Sequence, residues 1–226
     1  MSFHLRRGLW SSVAALSPPS GYVPPTGFDW SLDFLGEVYT NNGSSVAIAD
    51  IIDKPARVGA SGLEILDNDV DGVVDSIGDL LTDFQSMDWT VVIEWQELTT
   101  DFSTYLLYLF EMPGGSDHSL VIERGNAFTG LRVDAHESSN IVRNVAINTS
   151  HGVGVHKVAV TRTSAFLSIS CDGSAVVTVT ATPTMNAMAT ASFGGDPTDQ
   201  SYNGTFIRTV TLTAPVADAA LPGLST

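Results

Sequence analysis

Cysteine is almost absent from this chain of 226 residues: Cys171 is the single one. One thiol forms no internal disulfide and excludes a cysteine-rich metal site. Long apolar runs are missing as well, and no stretch reaches the ~18 residues a membrane-spanning helix needs. Basic residues are scarce: Lys plus Arg number 10 against 25 Asp plus Glu, a formal net charge of -15. Such a surface repels nucleic-acid phosphate and anionic lipid, which argues against both as partners. The phosphate-binding G-x-x-x-x-G-K-S/T loop, the G-x-S-x-G elbow and the H-E-x-x-H pair are all absent. No nucleotide site, serine-hydrolase elbow or zinc-protease helix is therefore indicated. His4, His118, His136, His151 and His156 show no zinc-ligand spacing. No internal repeat or heptad is visible, against a long fibrous shaft.

The composition that remains is globular. Hydrophobic residues make up 43% and charged residues 15%, which is not the signature of a disordered chain. All-β domains of 200–250 residues commonly form one unit. At this length roughly 70% of the unfolded surface can be buried, so neither disulfide nor metal is needed for stability.

The pattern along the chain is mostly of period two. Phe28–Phe34 alternates apolar with polar residues, the mark of a half-buried strand. Asn41-Asn42-Gly43 reads as a turn, followed by a short strand around Val46–Ala49. Further strands are expected at Trp89–Glu97, Tyr105–Glu111, Ser119–Glu123, Leu131–Ala135 and Ile141–Ile147. Others follow at His156–Arg162, Phe166–Cys171, Val176–Ala181, Ala187–Phe193 and Thr205–Thr213. Within the first of these, Trp89, Val91, Ile93 and Trp95 share one face. Leu167, Ile169 and Cys171 likewise alternate onto one face, which reads Cys171 as a small core residue. Asp172-Gly173 lies between two β runs and signals a hairpin. Many short strands at roughly ten-residue spacing predict an antiparallel β-sandwich or jelly roll. One short helix is expected after Gly72, where Ile77 and Phe84 recur at helical spacing and Asp75, Asp79 and Asp83 share the other face.

Residues 1–27 read as a separate, extended arm preceding a sandwich domain over 28–226. Pro18, Pro19, Pro24 and Pro25 favour polyproline geometry. The arm has no periodic apolar face of its own, so it either stays loose or docks on a neighbour. Arg6, Arg7, Leu9, Trp10 and Tyr22 are the residues expected to dock. The Arg6–Leu16 stretch loosely imitates a signal peptide, but two serines break it and no small-x-small cleavage site follows; it reads as retained.

Three loops or clusters invite a chemical reading. Asp67, Asp69, Asp71 and Gly72 match the opening of a calcium loop, and Asp75 falls on its ninth position. The twelfth position is Gly78 rather than a bidentate Glu, and the same residues also make an ordinary Asx turn. Calcium is thus the candidate ion, and no other cofactor is indicated. From Glu64 to Asp101 every charged residue is acidic, which suits exposed loop, bound cation or a basic partner. The loop Asp196–Gly204 holds Asp196, Asp199, Tyr202 and Asn203, the residue types that bind a sugar through an aromatic platform and polar side chains. It also fits an ordinary long hairpin loop. A glycosidase needs paired carboxylates flanking the scissile bond. Glu94 and Glu97 lie three apart and hence on opposite faces of a strand, so no enzyme is expected.

Certain residues resemble a known family. His156-Lys157-Val158-Ala159-Val160-Thr161-Arg162, Leu167-Ser168-Ile169 and Asp172-Gly173 resemble the hairpin of laminin-G-like, concanavalin A-like jelly rolls. Phe193-Gly194-Gly195, Tyr202–Arg208 and Asp88–Trp95 are similar to further strands of that family. The family's usual aromatic before the Asp-Gly pair is Cys171 here. Leu32–Tyr39, Asn42–Ala47, Gly62–Ile65 and Pro215–Leu221 look like the flanks of this jelly roll in bacteriophage proteins. That resemblance implies a virion location, in a tail fibre, tail tip or capsid decoration. It implies a non-enzymatic structural protein that contacts other virion subunits and further copies of itself. The alternative it leaves open is a carbohydrate-binding module for host attachment, with a surface glycan as partner.

Overall fold

The computed structural model describes residues 30–41, 43–52, 57–65, 88–99, 104–110, 118–124, 130–137, 140–147, 151–180, 190–193 and 205–226. Among them the strands are β1 (Trp30–Asp33), β2 (Val38–Asn41), β3 (Ser44–Ala47), β4 (Val58–Gly59), β5 (Gly62–Ile65), β6 (Trp89–Glu97), β7 (Thr104–Phe110) and β8 (His118–Arg124). They continue as β9 (Leu131–Glu137), β10 (Asn140–Ile147), β11 (Gly154–Arg162), β12 (Phe166–Cys171), β13 (Val177–Thr180), β14 (Thr190–Ser192) and β15 (Thr205–Thr213). A short helix, α1 (Leu221–Leu224), lies near the C-terminus.

Two antiparallel sheets form. The larger runs β13-β12-β11-β6-β15-β1-β2-β3, with β5 pairing β15 and β4 pairing β5. The smaller runs β10-β9-β8-β7-β14. Period-two alternation decides which side chains enter the space between them. On β6, Trp89, Val91, Ile93 and Trp95 are fully buried, while Val92, Glu94 and Gln96 are half-exposed. The smaller sheet contributes Leu107, Leu109, Leu120, Ile122, Val133 and Val145 to the same apolar cluster. The expected β-sandwich is therefore the fold, with its core between the two sheets.

The outer face of the larger sheet is polar and partly covered by the C-terminal segment. Val216 N–H donates to Thr90 Oγ1 at 3.0 Å, and Thr90 itself meets Thr161 Oγ1 at 2.7 Å. Ser225 Oγ pairs with Ser170 Oγ at 3.0 Å, and Lys157 Nζ donates to the Thr226 carbonyl at 2.8 Å. These contacts explain why Thr90, Thr161 and Ser170 are buried although they face away from the core. No helix among the described residues is long and apolar enough to cross a membrane.

Three strands, Trp89–Glu97, Phe166–Cys171 and Thr205–Thr213, have the bounds the periodicity predicts. Differences elsewhere have local causes. The expected strand 28–34 stops at Asp33, whose carboxylate accepts the amides of Leu35 and Gly36 at 3.1 and 2.9 Å and turns the chain. The expected strand at 46–49 is shifted to Ser44–Ala47, because Ile48–Asp50 winds into a 3-10 turn. β2, β4 and β5 have no counterpart among the predicted strands, being only 4, 2 and 4 residues long. The expected helix after Gly72 and the arm 1–27 lie outside the described residues.

Gly62 shows what β5 demands. It sits at φ +111, and a Cβ there would run into the backbone carbonyl of Ile207 on β15. Only glycine fits both conditions. Gly62→Ala is expected to destabilise the domain by about 1–3 kcal/mol, read as a lowered urea midpoint with unchanged slope. An unchanged midpoint would mean that β5 does not pack against β15 as described.

Candidate functional site

Strand register fixes which connections share an end of the sandwich. Glu97 closes β6 opposite Gly154 and opposite Thr205, and Thr205 is opposite Ile65. On the smaller sheet Arg124 closes β8 opposite Thr104 and Leu131, and Leu131 is opposite Ile147. β14 runs antiparallel to β7, so its last residues point toward Thr104. The strand ends joined by 98–103, 125–130, 148–153 and 194–204, the end after Ile65, and the Asp172-Gly173 turn therefore gather at one end. This loop-rich end is where binding and catalytic groups typically reside on a rigid sandwich.

Its floor is a buried ion pair between the sheets. Arg124 donates from Nε to Glu97 Oε2 at 2.7 Å, and a second guanidinium nitrogen closes on Glu97 Oε1. Thr205 Oγ1 donates to Oε1 at 2.9 Å, and Arg124 also donates to the Thr99 carbonyl at 3.2 Å. The two side chains are 3% and 1% exposed. Burial pushes the Glu97 carboxyl above the ordinary glutamate range, against the pull of Arg124 and Thr205.

Beside this pair lies an imidazole and carboxylate network. Asp172 takes a left-handed φ of 48 in the β12–β13 turn, followed by Gly173 at 71, and Ser174 N–H closes the turn on the Cys171 carbonyl at 2.9 Å. That turn aims the Asp172 carboxylate back at β11. Its Oδ1 accepts the Lys157 amide at 2.9 Å, and its Oδ2 lies 2.8 Å from His156 Nδ1. His156 Nε2 lies 2.7 Å from the Gly152 carbonyl. A carbonyl and a carboxylate both demand a donor, so a ring engaged on both sides carries both protons. His156 is accordingly a cation here: its hydrogen bond to Asp172 raises its pKa, burial opposes, and the Gly152 carbonyl adds to the rise. Burial disfavours the Asp172 anion, yet contacts with His151, His156 and the Lys157 amide hold it well below the usual carboxylate range.

Trp95 is the apolar wall of the network. Its ring centroid is 5.4 Å from His156 at 38° and 6.1 Å from His151 at 79°. Cys171 Sγ sits 3.8 Å from His151 Nδ1, and burial followed by the Asp172 charge raises its thiol pKa far above the ordinary value. Leu98, Val153 and Val155 are large apolar residues left exposed at the same end. Around the corner, Glu123 and Arg132 are opposite each other one register step from Arg124, on the face of the smaller sheet turned away from the core. Arg132 donates to Glu123 Oε2 at 2.9 and 2.6 Å and meets Asp134 Oδ2 at 3.0 Å, yet stays 40% exposed.

The calcium-type and glycan-type residues predicted from sequence connect to this end, whereas the arm precedes β1, whose Trp30 is opposite Leu212 at the other end of β15. None of the predicted residues is itself described. Asp67, Asp69, Asp71 and Asp75 follow Ile65 outside the described residues. Asp196, Asp199, Tyr202 and Asn203 precede Thr205, again outside them, as do Arg6, Arg7, Leu9, Trp10 and Tyr22 of the arm. Ile65 and Thr205 are opposite in register, so the calcium-type loop and the glycan-type loop leave the sheet from adjacent positions. Glu94 and Glu97 do occupy opposite faces: Glu94 meets Arg208 at 3.1 Å on the outer side, and Glu97 is buried inside.

The buried groups were readable in part. Glu97 continues the parity of Trp89, Val91, Ile93 and Trp95, and Arg124 continues that of Leu120 and Ile122. A charge in an apolar register at a strand end signals a partner across the core.

No protein-family model matches the sequence. No curated protein matches it either. Solved structures do share its fold. A Ruminococcus gnavus IT-sialidase CBM40 bound to alpha2,3 sialyllactose superposes with a TM-score of 0.59 at 14% identity, covering 74% of this chain and 97% of that one. The same module bound to alpha2,6 sialyllactose gives 0.56 at 12%, with the same coverage. The NanB sialidase of Streptococcus pneumoniae gives 0.56 at 15%, covering 72% of this chain and 27% of that chain. At these identities the likeness is one of fold.

Proposed function

We propose that this chain is a non-catalytic carbohydrate-binding module whose ligand is a cell-surface glycan, taken up at the loop-rich end of the sandwich. The observation that carries this reading is the convergence of a rigid, polar floor with the Asp196–Gly204 connection at one end. Sugars are held by an aromatic face with polar groups around it. Tyr202 supplies the platform, and Asp196, Asp199 and Asn203 the hydrogen-bonding partners. The likeness to sandwich modules solved with sialyllactose supports glycans as the ligand class. Arg132, partly exposed on the adjoining face, is the side chain assigned to a sugar carboxylate, which would share its guanidinium with Glu123 and Asp134. This choice among sugars matters because a net charge of -15 otherwise repels acidic ligands.

A glycan array probed with the full chain tests the reading. Binding to a restricted set of glycans is expected. Tyr202→Ala is expected to weaken it about tenfold, the loss of roughly 1.4 kcal/mol of stacking. Arg132→Ala should weaken sialylated glycans more than neutral ones. A folded chain that binds nothing on the array sinks the proposal.

A structural place in a phage particle is the second reading, favoured by the resemblance of Leu32–Tyr39 and Pro215–Leu221 to the flanks of phage jelly rolls. Arg6, Arg7, Leu9, Trp10 and Tyr22 would then dock on neighbouring virion subunits or further copies of the chain. The two readings are compatible in one attachment protein.

A further inference from the structure

We propose that His151, Cys171 and Asp172 form a binding site for a zinc-type divalent cation. The site is independent of the glycan reading. Three donor atoms of three chemical types converge there, all within 4.8 Å of one another. His151 Nδ1 stands 3.8 Å from Cys171 Sγ and 3.5 Å from Asp172 Oδ2. With zinc bonds of about 2.3 Å to sulfur and 2.0–2.1 Å to nitrogen or oxygen, tetrahedral partners lie roughly 3.3–3.6 Å apart. The observed spacings match those edges to within a few tenths of an ångström. The 3.5 Å spacing is long for a direct hydrogen bond to oxygen, while 3.8 Å is within reach of a weak hydrogen bond to sulfur. The imidazole is therefore held over both donors without closing tightly on the carboxylate.

Burial adds a second, independent argument. The His151 side chain is 6% exposed, so its Nδ1 faces the Cys171 thiol and the Asp172 carboxylate largely out of water, while Nε2 lies on the opposite side of the ring and takes no part in the donor set. Trp95 at 6.1 Å and His156 at 5.4 Å hold the ring from the sides and leave its Nδ1 facing the thiol and carboxylate. Asp172 remains 40% exposed, which gives an ion an entry path.

The surroundings resemble an outer ligand shell. His156 Nδ1–H donates to Asp172 Oδ2, and the Lys157 amide donates to Oδ1, so the carboxylate is oriented before any ion arrives. On binding, the Cys171 S–H bond breaks, an S–zinc bond forms and the proton leaves to solvent. One thiolate and one carboxylate then neutralise the dication. The fourth tetrahedral position stays open to water or an incoming group, the pattern of a three-ligand site.

A cysteine nucleophile of the Cys-His-Asp kind is excluded by the same geometry. Such a relay needs the thiol and the orienting carboxylate on opposite ring nitrogens. Here both face Nδ1 of His151.

Cobalt(II) titrated into untagged, chelator-stripped full chain provides the test. One equivalent should bind and produce a near-ultraviolet thiolate-to-cobalt charge-transfer band, displaced by zinc. Cys171 is the single cysteine, so the band can arise nowhere else. Cys171→Ser should abolish it. His156→Gln, which leaves all three donor residues in place, should weaken zinc binding about 10- to 100-fold. If Cys171→Ser fails to fold by circular dichroism, His151→Gln takes its place and should likewise suppress uptake. Three results would overturn the proposal: no cobalt uptake by the folded chain, uptake without the thiolate band, or zinc affinity unchanged in His151→Gln.

Discussion

Arg124→Met is expected to lower the unfolding free energy by about 3–5 kcal/mol at neutral pH, the loss seen when one partner of a buried pair is removed. The reason is what stays behind. Glu97 would remain 1% exposed between the sheets with its main counter-charge gone. Thr205 Oγ1 could still donate to it, but a neutral hydroxyl does not replace a guanidinium. Replacing both partners gives a different outcome. Glu97→Met with Arg124→Met together should recover most of the loss, because apolar side chains of similar volume incur no desolvation penalty. Urea denaturation of the two single variants and the double variant measures the coupling directly. An Arg124→Met loss below 1 kcal/mol would show that the pair is not desolvated.

The pH dependence of the same variant has a definite sign. Removing Arg124 removes the hydrogen bond and charge that lower the Glu97 pKa and leaves burial, which raises it. A carboxyl whose folded pKa lies above its unfolded one stabilises the fold below the unfolded value. That contribution is lost as pH rises through the folded value. Arg124→Met should therefore be closest to the parent protein near pH 4.5 and fall further behind toward pH 7–8.

The fold was legible because alternation carries it. At Trp89–Glu97 and Thr205–Thr213, both long and half-buried, side-chain parity gives the ends as well as the faces, whereas the equally long β11 starts two residues before its expected His156, at Gly154. Short strands escaped because two to four residues give parity nothing to repeat. β5 is held by Gly62 packing on the Ile207 backbone, a tertiary contact without any local pattern. The site divides along the same line. Glu97 and Arg124 announce themselves as charges in apolar register. The His151, Cys171 and Asp172 cluster does not. Asp172 reaches His156 and His151 through the left-handed turn at the end of β12. Those imidazoles are 16 and 21 positions away in the chain, and no ligand spacing in the sequence reflects their contact. The calcium-type loop was read from the spacing of Asp67, Asp69, Asp71 and Asp75, the glycan-type loop and the docking arm from their residue types. What the fold adds is where the first two attach, side by side at Ile65 and Thr205.

Trp95→Ala is expected to cost about 3–5 kcal/mol, as large-to-small changes of buried aromatics do. Trp95 is fully buried, opposite His156 on β11 and Ile207 on β15. Its neighbours cannot close the gap. His156 is pinned by Asp172 and Gly152, and His151, 6.1 Å from Trp95, is itself packed 5.4 Å from His156. A site that cannot collapse retains its cavity, which puts the loss toward the upper part of that range. The cavity would also remove the ring against which both imidazoles pack, so the damage should reach the loop-rich end and not stop at the core. Trp95→Phe separates shape from polarity. Trp95 Nε1 has no hydrogen-bond partner among the described residues, so phenylalanine forfeits volume and no bond. Its loss should be roughly half that of alanine or less. Leu98→Ser, at an exposed position of the same end, should stay within about 0.5 kcal/mol of the parent. Urea unfolding followed by far-ultraviolet circular dichroism reads all three variants. A Trp95→Ala loss no greater than that of Trp95→Phe would mean that the indole does not fill the space between the two histidines and the core, and the rigid floor assigned to this end would lose its apolar support.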